Sequence, residues 1–215
     1  MAETHTALPA HQFDDLEQQH EAGALGMWAF LITEIMFFGG LFTVYTVYRW
    51  SYGQGFAEAS RHLDIRLGAI NTAVLIGSSL TMALAVHAAQ TGRRRVLILF
   101  LLFTILLGSV FLGIKAFEYN HKFHEHLVPG PGFRLAGPEA RHAELFFSLY
   151  FAMTGLHAVH MIIGVGILAT LVMMANRGRF SPAHHAPVEI TGLYWHFVDI
   201  VWIFLFPLLY LIGGR

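Results

Sequence analysis

Long runs of apolar residues dominate the chain, and short polar segments separate them. A membrane helix needs about 20 predominantly apolar residues, because the hydrocarbon core is about 30 Å thick and each helical residue rises about 1.5 Å. Five runs meet this requirement, at approximately residues 23–48, 67–89, 96–117, 145–175 and 191–212. The pattern predicts an all-α fold, an integral membrane bundle of five transmembrane helices within residues 23–215.

The polar segments outside these runs carry two further signals. Residues 1–22 are polar and acidic without Lys or Arg, whereas a secretory signal needs a positively charged start, so we expect a solvated or partner-bound tail. The longest connection, residues 118–144, contains Pro129-Gly-Pro-Gly132 and Gly137-Pro138, which disfavour regular structure. We therefore expect a long loop rich in Pro and Gly between the third and fourth membrane helices.

Composition excludes several classes of protein. Hydrophobic residues make up 55% of the chain and charged residues 13%, whereas soluble domains carry about 25% charged residues. The net charge of −1 offers no basic surface for nucleic acid. The absence of Cys excludes disulfides, iron–sulfur clusters and thiolate metal sites.

The distribution of positive charge leaves the orientation in the membrane open. With the N-terminus inside, the inner connections would hold five cations, which are Arg93, Arg94, Arg95, Arg177 and Arg179. The other eight would lie outside, which opposes this orientation. The densest cluster, however, lies in the shortest connection, where the positive-inside rule is most reliable.

Glu34 is the clearest ionisable residue inside a predicted membrane helix. An ionisable group in hydrocarbon costs several kcal/mol, so it implies either a partner or a function such as proton relay. A hydrogen bond to another helix is the favoured interpretation. His157 and His160 lie three residues apart on one helix face of the fourth run. We therefore expect a buried polar cluster of Glu34, His157 and His160, with His160 the preferred partner of Glu34.

The last run carries the motif Tyr194-Trp195-His196-Phe-Val-Asp199. Its His and Asp, together with the Glu34 cluster, could be ligands of a di-metal centre. Carboxylate–histidine bundles, however, usually use Glu-x-x-His repeats from paired helices, which are absent here, and a haem needs an axial His. Interior histidines held by hydrogen bonds are the favoured interpretation, so we expect no metal site.

Two other polar patterns predict helix packing. The second run contains a polar stripe, whose short side chains commonly form hydrogen bonds between membrane helices: Asn71, Thr72, Ser78, Ser79 and Thr81. Lys115 and Glu118, three residues apart at the end of the third run, are expected to pair near the membrane interface.

Taken in order, these motifs resemble subunit III of the haem–copper oxidases. The resemblance extends from about residue 21 to the C-terminus. It also includes the family's paired histidines followed four residues later by an acid, here His184, His185 and Glu189. The motifs are Gly26-Met-Trp-x-Phe-Leu-x-x-Glu34-x-Met-Phe-Phe38, Asn71-Thr72, Ser78-Ser79-x-Thr81, Glu118-Tyr119, Thr154-Gly-Leu-His157-x-x-His160-x-x-x-Gly164 and Tyr194-Trp-His-Phe-Val-Asp199.

The resemblance implies a short, five-helix bacterial subunit III that packs on the catalytic subunit I. Members of the family contain no haem or copper, bind phospholipid, support proton uptake into subunit I and protect it from inactivation during turnover. Glu34 corresponds to the family's buried, carbodiimide-reactive carboxyl. His184, His185 and Glu189 are expected at the cytoplasmic interface, near a phospholipid headgroup or subunit I. Lys115 departs from the family, since many members have Gln there, and the Pro-Gly loop is expanded relative to quinol oxidases.

These expectations favour a non-catalytic accessory subunit of a proton-pumping cytochrome c oxidase. Its expected partners are subunits I and II, with a small subunit IV and a respiratory supercomplex as further candidates. The expected location is the bacterial cytoplasmic membrane, with the N-terminus cytoplasmic and the C-terminus periplasmic. The alternative is a quinol oxidase or a nitric-oxide-reductase-associated complex, and a stand-alone histidine-rich metalloenzyme is less favoured.

Overall fold

A computed structural model describes residue 12 and residues 15–135, 137–182 and 184–211 of the chain. These residues form six α-helices and a π-helical turn at Pro207–Leu211, and no β-strand is assigned among them. The helices are α1 (Leu16–Ser51), α2 (Gly53–Ser60), α3 (Ile65–Gln90), α4 (Arg94–His124), α5 (Ala140–Asn176) and α6 (Ala186–Phe206). All except α2 belong to segments that are long and apolar enough to cross a membrane. The prediction of an all-α bundle with five transmembrane helices is confirmed.

The membrane helices extend beyond their apolar runs. Helix α1 begins inside the predicted tail because Asp15 caps it, accepting a hydrogen bond of 2.7 Å from the backbone N–H of Gln18. Helix α4 continues past Glu118 to His124. Apolar runs mark the length that hydrocarbon can cover, whereas helical hydrogen bonding continues into the polar interface.

The connection between α4 and α5 is shorter than the predicted loop of residues 118–144, since the two helices leave only residues 125–139 between them. Gly130 and Gly137 adopt positive φ angles of 130° and 139°, which favour glycine. The N–H of Gly130 donates to Glu144 Oε1 at 3.0 Å, which ties the loop to α5. The short helix α2 lies in a stretch between the first two apolar runs that the hydrophobic pattern left unassigned.

Helix α6 is the central helix of the bundle, and α1 lies at its edge. In the most apolar stretch of 18 residues in each segment, 56% of the stretch is buried in the α6 segment and 11% in the α1 segment. Trp195 of α6 is fully buried, in a space that two glycines provide. A Cβ atom would lie 2.8 Å from the Trp195 ring at Gly108 and 2.9 Å from it at Gly164. These glycines therefore allow α4 and α5 to pack closely against α6.

The alternating directions of the long helices give the bundle two ends. The first end, where α1 begins, carries the connections 91–93 and 177–185. A Cβ atom built on Gly92 would lie 3.1 Å from Pro182, which places these two connections together. The second end carries α2, the loop 125–139 and the end of α6.

Candidate functional site

Lys115 lies at the centre of a buried polar cluster, which also contains Glu118, Tyr150 and Tyr210 and is called the Lys115 cluster below. Lys115 Nζ donates to Glu118 Oε2 at 2.8 Å, to the Tyr150 hydroxyl at 3.0 Å and to the Tyr210 hydroxyl at 3.1 Å. Tyr210 in turn donates to Glu118 Oε1 at 2.6 Å. All three ammonium protons and both carboxylate oxygens therefore have partners.

The surroundings of this cluster are aromatic and buried. Lys115 and Glu118 are each 3% exposed, and Lys115 Nζ lies 5.1 Å from the centroid of the Trp202 ring. The predicted pair between Lys115 and Glu118 is present, but its assignment to the end of the helix is wrong, because α4 continues for six residues beyond Glu118. A buried pair of opposite charges that leaves no hydrogen-bonding atom unused fits a structural role.

Glu34 and His160 form a second pair, between α1 and α5. His160 Nε2 lies 3.2 Å from Glu34 Oε2, and His160 Nδ1 lies 2.9 Å from the Leu156 carbonyl oxygen. Because a carbonyl only accepts, Nδ1 carries a hydrogen. The contact between Nε2 and the carboxyl then shares one proton, which resides on either atom. The expected hydrogen bond between Glu34 and His160 is therefore present.

His157 does not join Glu34, contrary to the expected cluster of three residues. Its ring centroid lies 5.4 Å from that of Phe111 and 5.2 Å from that of Trp202, and the side chain is fully enclosed. Neither ring nitrogen has a hydrogen-bond partner within the described residues. Residues three apart point in directions that differ by about 60°, which turns His157 toward α4 and α6 and leaves His160 for α1.

The motif of the last membrane helix is divided among several neighbours. Tyr194 donates to the His160 carbonyl at 2.9 Å, and Trp195 Nε1 donates to Ser78 Oγ at 3.0 Å. His196 Nδ1 and Ser79 Oγ are hydrogen-bonded at 2.7 Å. Asp199 is 4% exposed, and its carboxyl lies close to the Ser79 side chain without a hydrogen bond of standard geometry in the described part of the chain.

The polar stripe of the second run forms the predicted contacts between helices. Besides the bonds of Ser78 and Ser79 to α6, Thr81 and Thr104 are hydrogen-bonded at 2.8 Å, and Trp202 Nε1 donates to Thr72 Oγ1 at 3.0 Å. These short side chains fix the orientation of α3 against α4 and α6.

His184, His185 and Glu189 lie at the first end of the bundle. His185 Nε2 is 3.2 Å from Glu189 Oε1, and the same oxygen accepts a hydrogen bond of 2.6 Å from the side chain of Gln90 on α3. The backbone N–H of His184 donates to the Ser181 carbonyl at 2.8 Å, which closes a tight turn before α6. The paired histidines and the acid are therefore neighbours in space as well as in sequence.

The partners of Lys115 are the residues that sequence reasoning missed. Tyr150 and Tyr210 lie in apolar runs where their rings suggest only packing. A tyrosine hydroxyl buried in a membrane helix needs a hydrogen-bond partner, which is the signal that could have indicated them. That signal does not identify Lys115 as the partner, because both tyrosines are distant from Lys115 in the sequence.

No group of three or more His, Asp or Glu side chains suited to a metal ion is found in the described residues. The five residues considered as di-metal ligands are divided among separate contacts, with Glu34 and His160 in one pair, His196 on Ser79, and His157 and Asp199 enclosed in the core.

Comparison with known proteins places the chain in a family. Residues 17–214 match the family model described as cytochrome c oxidase subunit III. The chain belongs to this family. It is 33% identical to quinol oxidase subunit 3 of Bacillus spizizenii over 92% of both chains. It is 34% identical to cytochrome c oxidase subunit 3 of Corynebacterium diphtheriae over 88% of this chain and 87% of the relative. It is 31% identical to cytochrome c oxidase subunit 3 of Thermostichus vulcanus over 93% and 92%, respectively.

Membership of the family confirms the identification made from the ordered motifs. The chain is a membrane protein and an accessory subunit of a haem–copper oxidase, and it associates with other oxidase subunits. As a subunit III it carries no metal cofactor of its own. A stand-alone histidine-rich metalloenzyme is thereby set aside.

Proposed function

We propose that this chain stabilises subunit I of a proton-pumping cytochrome c oxidase, holds phospholipid and supports proton uptake without catalysing a reaction itself. The observation that carries this proposal is the pairing of interior ionisable groups with each other, as in Lys115 with Glu118 and Glu34 with His160. The first pair supports a rigid scaffold. The second, which shares one proton near the edge of the bundle, supports a role in proton supply.

Deletion of the chain from the oxidase tests this function. The expected result is an unchanged haem spectrum and nearly normal initial turnover, followed by progressive loss of activity during turnover. Loss of all haem from the complex would contradict an accessory role, as would stoichiometric iron or copper in the purified chain.

The electron donor is proposed to be cytochrome c, with a quinol as the alternative. Relatives with both descriptions match at similar identity. The expanded loop at residues 125–139 supports cytochrome c, because it offers a surface for a further partner on the outer side. Turnover of the purified complex with reduced cytochrome c, compared with turnover with a quinol, tests this assignment. The presence of a copper domain in subunit II is an independent check.

The proposed location is the bacterial cytoplasmic membrane, with the first end cytoplasmic and the C-terminus periplasmic. Five exposed arginines lie at the first end and four at the second, which are Arg61, Arg66, Arg134 and Arg141, so the count is nearly even. The support for this orientation is the dense cluster Arg93–Arg95 in the shortest connection, where the positive-inside rule is most reliable. At the second end, Lys115 and Lys122 are buried and paired with Glu118 and Glu125. Such neutralised residues contribute little to the count of positive charge.

Single cysteine substitutions test the orientation, and no native cysteine interferes because the chain contains no Cys. We expect Gly132→Cys to react with a membrane-impermeant maleimide in intact cells. Arg179→Cys should react only after permeabilisation. The reverse pattern would place the first end outside.

We propose that the chain contacts subunit I directly and lies near subunit II and a small subunit IV. We also propose that the oxidase belongs to a respiratory supercomplex. We assign His184, His185 and Glu189 to contact with subunit I or a phospholipid headgroup. Crosslinking of the intact complex from a photoreactive residue at position 184 distinguishes protein from lipid as the neighbour. Labelling of neither would contradict the assignment.

A further inference from the structure

Asp199 of α6 is a buried carboxyl to which the proposed function gives no role. It is 4% exposed, and neither oxygen has a hydrogen bond of standard geometry within the described residues. In that part of the chain, no charged side chain of another helix is close enough to act on it. A buried carboxylate without a counter-charge or donors is costly. The carboxyl is therefore expected to be neutral, with its proton in place.

The neighbour of this carboxyl is Ser79 of α3, whose hydroxyl is already engaged by His196. The Asp199 carboxyl lies close to the Ser79 side chain. Ser79 Oγ and His196 Nδ1 are hydrogen-bonded at 2.7 Å. Through Ser79, the carboxyl is connected to a second titratable group, His196, which lies three residues earlier on the same helix. Three side chains from two helices thus lie in series.

His196 is the outer end of this series. It lines an apolar groove between α1 and α6, which has a volume of about 420 Å³. Its Nε2 has no partner among the residues that the structure describes, and this nitrogen is not one of the enclosed polar atoms. The series therefore begins at a buried carboxyl and ends at a nitrogen on the surface of the bundle.

Hydrogen-bond chemistry gives the series one direction when the carboxyl is neutral. A protonated carboxyl has an O–H that donates to Ser79 Oγ, and the serine hydroxyl then donates to His196 Nδ1. A neutral imidazole that accepts at Nδ1 carries its hydrogen on Nε2. His196 thus presents an N–H donor to the groove.

The direction reverses when the carboxyl is ionised. The carboxylate then accepts from the Ser79 hydroxyl, Ser79 Oγ accepts from the N–H at Nδ1, and Nε2 is left as an acceptor. The two states differ by one proton. Between them, the Asp199 hydrogen moves to Ser79 Oγ, the Ser79 hydrogen moves to Nδ1, and the Nε2 hydrogen leaves the chain.

We propose that Asp199, Ser79 and His196 form a proton-holding chain, in which Asp199 is neutral and His196 presents an N–H to the groove. The proton that separates the two states enters and leaves at His196 Nε2. This chain is separate from the Glu34–His160 pair and goes beyond the function proposed above. Its test uses no measurement of turnover, so its failure would leave the accessory role of the subunit unaffected.

Infrared spectroscopy of the intact oxidase complex tests the protonation of Asp199. The wild-type spectrum minus that of Asp199→Asn should contain the C=O stretching band of a protonated carboxyl. Ser79→Ala should keep this band but shift it, because the acid O–H loses its acceptor. Ser78→Ala is the matched control, since Ser78 accepts a hydrogen bond from Trp195 instead, and it should leave the band in place.

Chemical modification of His196 tests the direction of the chain. Diethyl pyrocarbonate acylates an imidazole nitrogen that has a free lone pair, and mass spectrometry of peptides from α6 measures the rate. Wild type should react slowly, since Nε2 carries a hydrogen and Nδ1 is engaged. Asp199→Asn should react equally slowly, because its amide N–H also donates to Ser79. Ser79→Ala should react about fivefold faster, the effect of one lost hydrogen bond.

Four outcomes would overturn the proposal. Identical carboxyl bands in wild type and Asp199→Asn would show that Asp199 is ionised. An unshifted band in Ser79→Ala would show that the acid does not donate to Ser79, and this comparison holds even if Asp199→Asn fails to assemble. Faster modification of wild type than of Asp199→Asn would show that Nε2 presents a lone pair. Equal modification rates for wild type and Ser79→Ala would show that Ser79 does not set the tautomer of His196.

Discussion

The Lys115 cluster and the Glu34–His160 pair each place an acid and a base inside the membrane, yet they satisfy these groups differently. Lys115 uses all three of its N–H groups on Glu118 and two tyrosines, and the charged side chains are only 3% exposed. The Glu34 and His160 side chains are 18% and 13% exposed and share one proton in a single contact of 3.2 Å. Complete pairing in the core favours rigidity, whereas the single contact at the edge fits the role in proton supply proposed above.

The largest effect should come from breaking the Lys115 cluster. Lys115→Met leaves Glu118 buried without its counter-charge, so we expect a loss of about 3–5 kcal/mol in stability. The double variant Lys115→Met/Glu118→Leu removes both charges and should be clearly more stable than the single variant. Thermal dissociation of this chain from the purified complex measures both. Equal losses for the two variants would show that the charge pair is not what stabilises this region.

The close packing that supports the core should be the next most sensitive feature. Gly108→Ala would place a Cβ atom 2.8 Å from the Trp195 ring, and we expect a cost of about 1–3 kcal/mol. Gly113→Ala is the matched control on α4, since its Cβ would meet nothing within 4 Å, and it should be neutral or stabilising. Thermal unfolding of the two complexes distinguishes them, and equal midpoints would refute tight packing around Trp195.

Variants of Glu34 should separate stability from function at the edge. Glu34→Leu leaves His160 Nε2 without a partner and should cost about 1–2 kcal/mol. Glu34→Gln can donate an amide hydrogen to Nε2, so its stability should remain close to wild type. Both variants lose the exchangeable proton, and both should inactivate faster during turnover. If the Glu34→Gln oxidase inactivates during turnover no faster than wild type, the Glu34–His160 pair serves only as a packing contact.

The smallest effect is expected at His157. Because its nitrogens have no partners within the described residues, His157→Leu removes no hydrogen bond and should change stability by no more than about 1 kcal/mol. Assembly and durability of turnover should also be unchanged. Faster inactivation of this variant than of wild type, measured beside Glu34→Gln, would show that His157 acts together with Glu34 and His160, as its spacing to His160 predicted.

The fold was largely predictable because each membrane helix leaves a local signal of about 20 apolar residues. The ends of helices were less accessible, as at α1 and α4, since capping by Asp15 and helical hydrogen bonding continue beyond the apolar length. Among the site residues, the link from Glu34 to His160 was predicted, because a buried acid needs a partner and few were available. The assignment of His157 to the same cluster was wrong, since spacing along a helix does not specify which neighbour each face meets.

The sequence by itself determined the class of the molecule, the number of its membrane helices, its family and the residues whose burial requires a partner. These properties depend on composition and on motifs that are local in the chain. Only the tertiary structure decided that Tyr150 and Tyr210 complete the Lys115 cluster, that His157 is enclosed by aromatic rings, and that His196 reaches both Ser79 and a groove. The physical reason is that these contacts join residues far apart in sequence, so they depend on how each helix is rotated against its neighbours.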